Sequence, residues 1–409
     1  MNIVGGQQRT LRGLLGRLRP HWRSDRGLAA RIERLLRGDR RLGSRDRRLY
    51  RELIYTALRY LPWVEPLLEA APERAEAVLA WLAADLPSTR AFRAAVAEGW
   101  PPCPPGAEAK AAVLQSQAGP GAAAPPLPSL LPEWLRSEAP GAFAPANYDA
   151  LAQRAPLWLR LAEADPSALF AEWTERGWAW QPSALLPGAV ALTGEADATS
   201  TPGFRRGAFE VQDLGSQLIL AAVVPATGGH WLDACAGAGG KTLQLAALLG
   251  PAGRVDVHDV RPAALAELGR RAERAGLADR LRRMPAEGPA YDGVLIDAPC
   301  SGSGTWRRAP HLKWTTQPAD LRRQAQRQAA LLAQFARQVR PGGRLIYATC
   351  SLCAVENEAP VTAFLSAHPE FAAEPPASPF TSRPAGPGFQ FWPAGHNGDG
   401  FFAAALRRR

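Results

Sequence analysis

Tyr291-Asp-Gly-Val-Leu-Ile-Asp297-Ala-Pro-Cys300-Ser-Gly-Ser-Gly-Thr-Trp-Arg307-Arg308-Ala-Pro-His-Leu-Lys313-Trp314 is the stretch from which the chain is best read. An apolar run from Gly293 to Ile296 ends in an acid, Asp297, and is followed by a proline, a cysteine and a Gly/Ser turn. A buried strand that delivers a carboxylate and a thiol into a basic loop is laid out like an active site. Open α/β sheets keep their chemistry outside the carboxyl ends of the strands. Read by itself, the stretch makes Cys300 a nucleophile. Arg307, Arg308, Lys313 and Trp314 put positive charge beside an aromatic, which suits an unstacked base and its phosphates.

Working outward, the same strand-then-helix pattern repeats on both sides. His230 to Ala234 reads as a strand, followed by a glycine-rich turn and a helix from Lys241 to Leu249. Val255 to Val260 is a strand that carries Asp259, with a helix from Pro262 to Ala275. A long helix from Ala319 to Val339 leads into a strand from Arg344 to Cys350. This alternation predicts an α/β fold with a parallel, doubly wound sheet over residues 206–409. Two short strands, Phe389 to Trp392 and Phe401 to Leu406, predict an antiparallel hairpin at its edge. Upstream, residues 129–205 read as a small α/β subdomain with strands at Pro156 to Leu161 and Val190 to Leu192. Residues 101–128 read as a Pro/Ala/Gly linker. Residues 1–100 are all helical, with leucines at 11, 14, 15 and 18 and an amphipathic stripe from Leu49 to Leu61. Ser44 is placed as an N-cap.

The 409 residues carry a formal charge of +10, and sixteen arginines against five acids put a net +11 into the first sixty. That footprint points to an anionic partner, RNA being the one expected. Five cysteines with no regular framework fit a reducing compartment. Without an apolar leader or a long apolar run, a cytoplasmic protein with no membrane partner is expected. Nothing in the sequence assigns an oligomeric state, and a monomer is the default.

Asp233-Ala-Cys235-Ala236-Gly237-Ala238-Gly239-Gly240-Lys241-Thr242 lies between a strand and a helix. The phosphate-loop pattern fails because Cys235 stands where its first glycine belongs, and the dinucleotide fingerprint fails at Thr242. A nucleoside ligand without a polyphosphate fits better, with Asp259 on its ribose. S-adenosyl-L-methionine is such a ligand.

Cys350, in Ala-Thr-Cys-Ser, ends the strand after the one that precedes Cys300, so adjacent parallel strands bring both thiols to one edge of the sheet. Cys350 and Cys353 have C-x-x-C spacing, but no second pair and no paired histidines accompany them, so no metal is expected.

These motifs together resemble the RsmB/Nop/Sun family of RNA cytosine-5 methyltransferases. The resemblance rests on Pro202-Gly-Phe, Val211-Gln-Asp, the Cys235–Thr242 turn, Asp297-Ala-Pro-Cys-Ser-Gly, Arg307-Arg-x-Pro, Lys313-Trp, Thr349-Cys-Ser, Glu356-Asn and Asp399-Gly-Phe-Phe. It implies a Rossmann-like class I methyltransferase preceded by a NusB-like helical domain, acting on RNA, most of all 16S rRNA. It implies that Cys235 to Lys241 line the S-adenosylmethionine site, with Asp259 on the ribose and Asp297 near the methionine end and the base. Among the thiols it makes Cys350 the nucleophile and Cys300 the residue that releases the product. The sequence departs from the family pattern at Ala236-Gly-Ala-Gly-Gly240, at Arg160-Leu-Ala, and at the acid expected beside the adenine, where only a displaced Glu287 stands. The rivals are the same chemistry on tRNA or another rRNA, a non-catalytic RNA-binding assembly factor, and DNA cytosine methylation with Cys300 attacking.

Overall fold

The computed structural model describes residues 3–117, 127–223, 227–285, 290–377, 380 and 382–409, so Glu287 lies outside the described residues. The chain divides into two compact units, Met1–Arg154 with Trp306–Thr316, and Ala155–Thr305 with Gln317–Arg409.

In the first unit the leucine stripes face inward as their spacing requires. Leu11, Leu14, Leu15 and Leu18 are the buried residues of the helix Ile3–Leu18. Leu28, Ile32 and Leu36 of Leu28–Gly38 join them, as do Leu49, Leu53, Ile54, Ala57 and Leu58 of Ser44–Arg59. The latter helix is capped differently from the expectation. Ser44 is its first residue, and the Asp46 carboxylate reaches back to accept from the Gly43 N–H at 3.0 Å. The stretch 101–128 is more than a linker, because it contains the helix Ala107–Ser116, whose Ala107 and Leu114 enter this core. Its alanines favour a helix, and the prolines on either side conceal that signal. Residues 129–154 also group with the helices, not with the strands that follow.

The basic segment after Cys300 is the largest departure. Trp306–Thr316 belongs to the helical unit, where Trp306, Arg307 and Lys313 are fully buried. Lys313 Nζ donates to the Arg59 carbonyl at 2.9 Å, and Trp314 Nε1 donates to the Leu58 carbonyl at 2.6 Å. These bonds satisfy carbonyls at the C-terminal end of Ser44–Arg59, which otherwise lack partners. Trp314 is part of the helical core, and Trp134 meets Trp306 edge-on at 6.1 Å. The segment expected to present Arg307, Lys313 and Trp314 to RNA is instead a structural strap.

The second unit holds two sheets. Strands β1 (Leu157–Leu161), β2 (Ala179–Pro182), β3 (Ala189–Thr193) and β4 (Phe209–Val211) form an antiparallel sheet in the order β2-β3-β1-β4. Its Arg160 is engaged internally, Nε donating to Gln212 Oε1 at 2.9 Å. The larger sheet contains β5 (His230–Asp233), β6 (Arg254–Val257), β7 (Leu281–Arg283), β8 (Tyr291–Asp297) and β9 (Val339–Thr349). It is completed by β10 (Phe371–Glu374), β11 (Arg383–Ala385), β12 (Gly388–Phe391) and β13 (Phe401–Arg408). Their order is β11-β12-β13-β9-β8-β5-β6-β7, with β10 also beside β13. Strands β5 to β9 pair in parallel, and β13 runs antiparallel along β9. The expected doubly wound sheet is therefore present. Its C-terminal part is a four-strand antiparallel extension in place of a simple hairpin. Strands β7 and β10 escape sequence reading because Leu-Arg-Arg and Phe-Ala-Ala-Glu carry no apolar run.

Strand β8 is buried along its length except at Asp292 and Asp297, as befits a central parallel strand covered on both faces. Gly293 is obligatory there, because a Cβ would lie 2.3 Å from the ring of Trp231 on β5. From β5 the chain winds outward through β6 and β7, then returns to β8 and β9 on the other side. The crevice between the carboxyl ends of β5 and β8 is the topological switch point, where such sheets bind ligands.

Candidate functional site

The turn after β5 is built by internal bonds that leave its backbone facing the crevice. Asp233, almost wholly buried, accepts from the Thr242 hydroxyl at 2.7 Å and from the Cys235 N–H at 3.3 Å. Burial pushes its carboxyl up to about 7, with the nearby Asp297 charge adding to the effect. Asp233 thus braces the turn. The Ala236 N–H donates to the His258 carbonyl, and the Gly239 N–H donates back to Ala236. Gly239 sits at φ +90°, a region open to glycine at little cost, and a Cβ there would lie 2.8 Å from Leu268. The helix Gly240–Leu249 starts at that point, so its N-terminal N–H groups point into the site.

Asp259, just beyond β6, accepts from the Gly237 N–H at 2.8 Å. Arg261 donates to it from its backbone and from both Nε and Nη2, each at 2.9 Å. This guanidinium contact, with the backbone donors behind it, holds the Asp259 carboxyl down to about 2. Lys241, 7% exposed, reaches across to Asp297 Oδ2 at 2.9 Å and lies 4.8 Å from the Phe401 ring centroid. Asp297 keeps a third of its side chain open to solvent. Cys235 is not suited to be a nucleophile, because burial and the Asp233 charge push its thiol up to about 12.

The thiols of Cys300 and Cys350 lie 3.3 Å apart. The sheet register explains this, since Asp297 of β8 pairs with Ala348 of β9 and both strands end within three residues. The Cys300 thiol is held well above the ordinary cysteine range, first by its hydrogen bond with Cys350 and then by burial. Either sulfur can donate to the other at this distance, and the raised Cys300 favours that thiol as the one that holds a proton. Cys353, the other half of the C-x-x-C spacing, is buried and lies 3.6 Å from the Ser303 hydroxyl. Among the described residues, no group of three His, Cys, Asp or Glu side chains is placed to hold a metal.

Every residue singled out in the sequence as catalytic or cofactor-binding lies on the second unit, around the switch point. What sequence reasoning did not show is that Thr349, Ser351, Glu356 and Asn357, quoted there only as motif residues, are bonded to one another beside the thiols. Thr349 donates to Asn357 Oδ1 at 2.6 Å, and Asn357 Nδ2 donates to the Ser351 carbonyl at 3.0 Å. Glu356 accepts from residues on both cysteine loops. The one available signal was a Glu-Asn pair directly after a cysteine turn.

Residues 220–407 match the model of the family described as 16S rRNA methyltransferase RsmB/F. The ribosomal RNA small subunit methyltransferase B of Xylella fastidiosa is 36% identical over 288 residues, 68% of this chain and 68% of its own. One solved structure covers 98% of this chain and 99% of its own, at 24% identity and a TM-score of 0.73. A methyltransferase homologue from Pyrococcus horikoshii covers 66% of this chain and 92% of its own, at 26% identity and a TM-score of 0.56. The fold is accordingly the Rossmann-like one of class I methyltransferases, with a helical N-terminal region.

Proposed function

The chain belongs to the RsmB/F family of 16S rRNA methyltransferases, and from that premise we propose that it methylates C5 of a cytosine in RNA, 16S rRNA being the substrate, with S-adenosyl-L-methionine as methyl donor. The observation that carries the reading is the pair of sulfurs 3.3 Å apart at neighbouring strand ends, with Asp297 of the Lys241–Asp297 pair on the strand that leads to Cys300.

The residues present fit the cofactor. Asp259 is an ionised acceptor suited to a ribose diol, and the Cys235–Lys241 turn brings backbone close to a nucleoside without the hinge a polyphosphate needs. When bound, S-adenosylmethionine supplies a methyl group made electrophilic by its sulfonium. The work of the chain's own residues is to make a poor carbon nucleophile react. Cytosine C5 is unreactive, so Cys350 as thiolate adds to C6 and pushes the ring electrons onto C5. Asp297, fixed by Lys241, accepts a hydrogen bond from the base edge and orients the ring for attack. Once C5 has bonded to the methyl group, the Cys350 sulfur, bonded to C6, carries no charge, and the largest of the interactions that kept the Cys300 proton in place is gone. Cys300 then gives its proton to solvent and takes the proton from C5. The electron pair of that C–H bond restores the double bond and expels the Cys350 thiolate. The target base leaves its stack to reach these groups.

The test is a pair of substitutions read on denaturing gels with S-adenosylmethionine and 16S rRNA. Cys350→Ser is expected to lose methylation and form no adduct. Cys300→Ser is expected to accumulate a covalent protein–RNA adduct. Normal turnover by Cys300→Ser, or an adduct only in Cys350→Ser, would overturn the assignment. Bisulfite sequencing of RNA treated with the wild-type chain identifies the cytosine.

A further inference from the structure

Glu356 lies just after β9 in a short helical turn and is fully buried. A carboxylate in such a place is costly unless donors surround it, and here they do. Its Oε1 accepts from the Ser301 N–H at 2.7 Å and from Gln328 Nε2 at 3.3 Å. Its Oε2 accepts from the hydroxyls of Ser301 and of Ser351, the latter at 2.6 Å. Ser301 directly follows Cys300, and Ser351 directly follows Cys350. Gln328 also donates to the Pro299 carbonyl at 2.9 Å, immediately before Cys300. The carboxylate is itself fixed through its backbone, where the Tyr347 hydroxyl donates to the Glu356 carbonyl at 2.6 Å.

We propose that Glu356 is the positioning residue of the site, one buried carboxylate that ties the loops of Cys300 and Cys350 together and sets the two sulfurs at their working separation. The inference rests on the two-thiol reading of the function and extends it to a residue that touches neither base nor cofactor. Burial pushes the Glu356 carboxyl above its ordinary range and the bonds from Ser301, Ser351 and Gln328 oppose that, so the charge needs its own reason. The ionisable groups acting on Cys300 are Cys350, Glu356 and, across the sheet end, Tyr347. The Glu356 charge adds to what holds the Cys300 proton in place. Keeping Cys300 as a thiol leaves Cys350 as the sulfur free to attack, so the same carboxylate orders the two sulfurs in space and in role.

The experiment compares wild type, Glu356→Gln and Glu356→Ala as full-length chains. Calorimetric binding of S-adenosylmethionine serves as the check that each is folded, because the Cys235–Lys241 turn has no bond to Glu356. Glutamine keeps the shape, and the serine hydroxyls can reverse to accept from it, so the loops stay tied while the charge goes. Alanine removes the tie. We expect Glu356→Ala to lose methylation by about 100-fold at saturating cofactor, the scale of a misplacement near 1 Å, and Glu356→Gln to stay within about tenfold of wild type. Alkylation by iodoacetamide, mapped by peptide mass as a function of pH, needs neither RNA nor cofactor. It should show the Cys300 midpoint moved to lower pH in Glu356→Gln. A folded Glu356→Ala within about threefold of wild type, or a Glu356→Gln as inactive as Glu356→Ala, would overturn the inference. Should the wild-type chain itself make no 5-methylcytosine, the proposed function fails, and the alkylation arm still decides the role of Glu356.

Discussion

Asp259 accepts from four donors, three of them on Arg261. Under the proposed function, a ribose diol shares the carboxylate with that guanidinium. Because Arg261 holds the carboxyl at about 2, Asp259 stays ionised throughout the neutral range and its acceptor strength does not vary there. Substituting Asp259→Ala should weaken S-adenosylmethionine binding by about 10- to 100-fold, the worth of a hydrogen bond to a charged group. Arg261→Ala should leave binding no weaker, because it frees the acceptor. Calorimetry on both variants checks this, and equal losses would assign the cofactor contact to Arg261. At this scale sequence reading went far. Asp259, Asp297, Cys300 and Cys350 stand out as polar groups at the ends of apolar runs. Glu356 entered only as part of the Glu356-Asn motif, with no role assigned, because a carboxylate buried by tertiary contacts looks in sequence like any surface glutamate.

At the scale of elements, the strap Trp306–Thr316 shows how composition can mislead. Basic residues beside tryptophan read as a nucleic-acid loop, yet Lys313 is 1% exposed and spends its charge on the end of the helix Ser44–Arg59. Burial pushes its amine down to about 7, and the neighbouring Arg59 adds to that effect. The unfolded chain keeps an ordinary lysine at about 10.4. Between these values the unfolded state binds more protons than the folded one, so stability rises with pH from about 7 toward 10. Below about 7 both states carry the proton, and Lys313 adds no pH dependence. Lys313→Met should therefore flatten the rise in melting temperature between pH 7 and 10, since a neutral chain of similar length avoids the buried charge. An unchanged slope would show that Lys313 remains an ordinary charged lysine in the fold.

Over the whole molecule, the +11 of the first sixty residues is less available than a count suggests. Arg12, Arg19 and Arg23 pair with Glu76, Glu69 and Glu65, and Arg51 pairs with Glu33. The same helices supply the leucine core, so deleting them would remove the fold along with the charge. The cleaner test substitutes the exposed Arg34, Arg40 and Arg48 with glutamine. If this unit binds RNA, affinity should fall and the slope of log affinity against log salt should become shallower by about 0.7 to 0.9 for each phosphate no longer neutralised. A salt slope equal to that of wild type would make these arginines an ordinary solvated face.

The sequence alone determined the doubly wound sheet, the helical N-terminal region and the identity of the groups around the switch point. Those follow from local periodicity and from where apolar runs stop, and neither depends on distant residues. Only the tertiary structure decided that Arg307 and Lys313 are buried in a strap, that residues 107–116 form a core helix, and that Glu356 links both cysteine loops. Each of these joins segments far apart in the chain, in the last case 55 residues from Ser301. The opening stretch is the clearest instance. Local pattern placed Asp297 and Cys300 at the end of β8, but the register of β8 against β9 is what set a second sulfur 3.3 Å from the first.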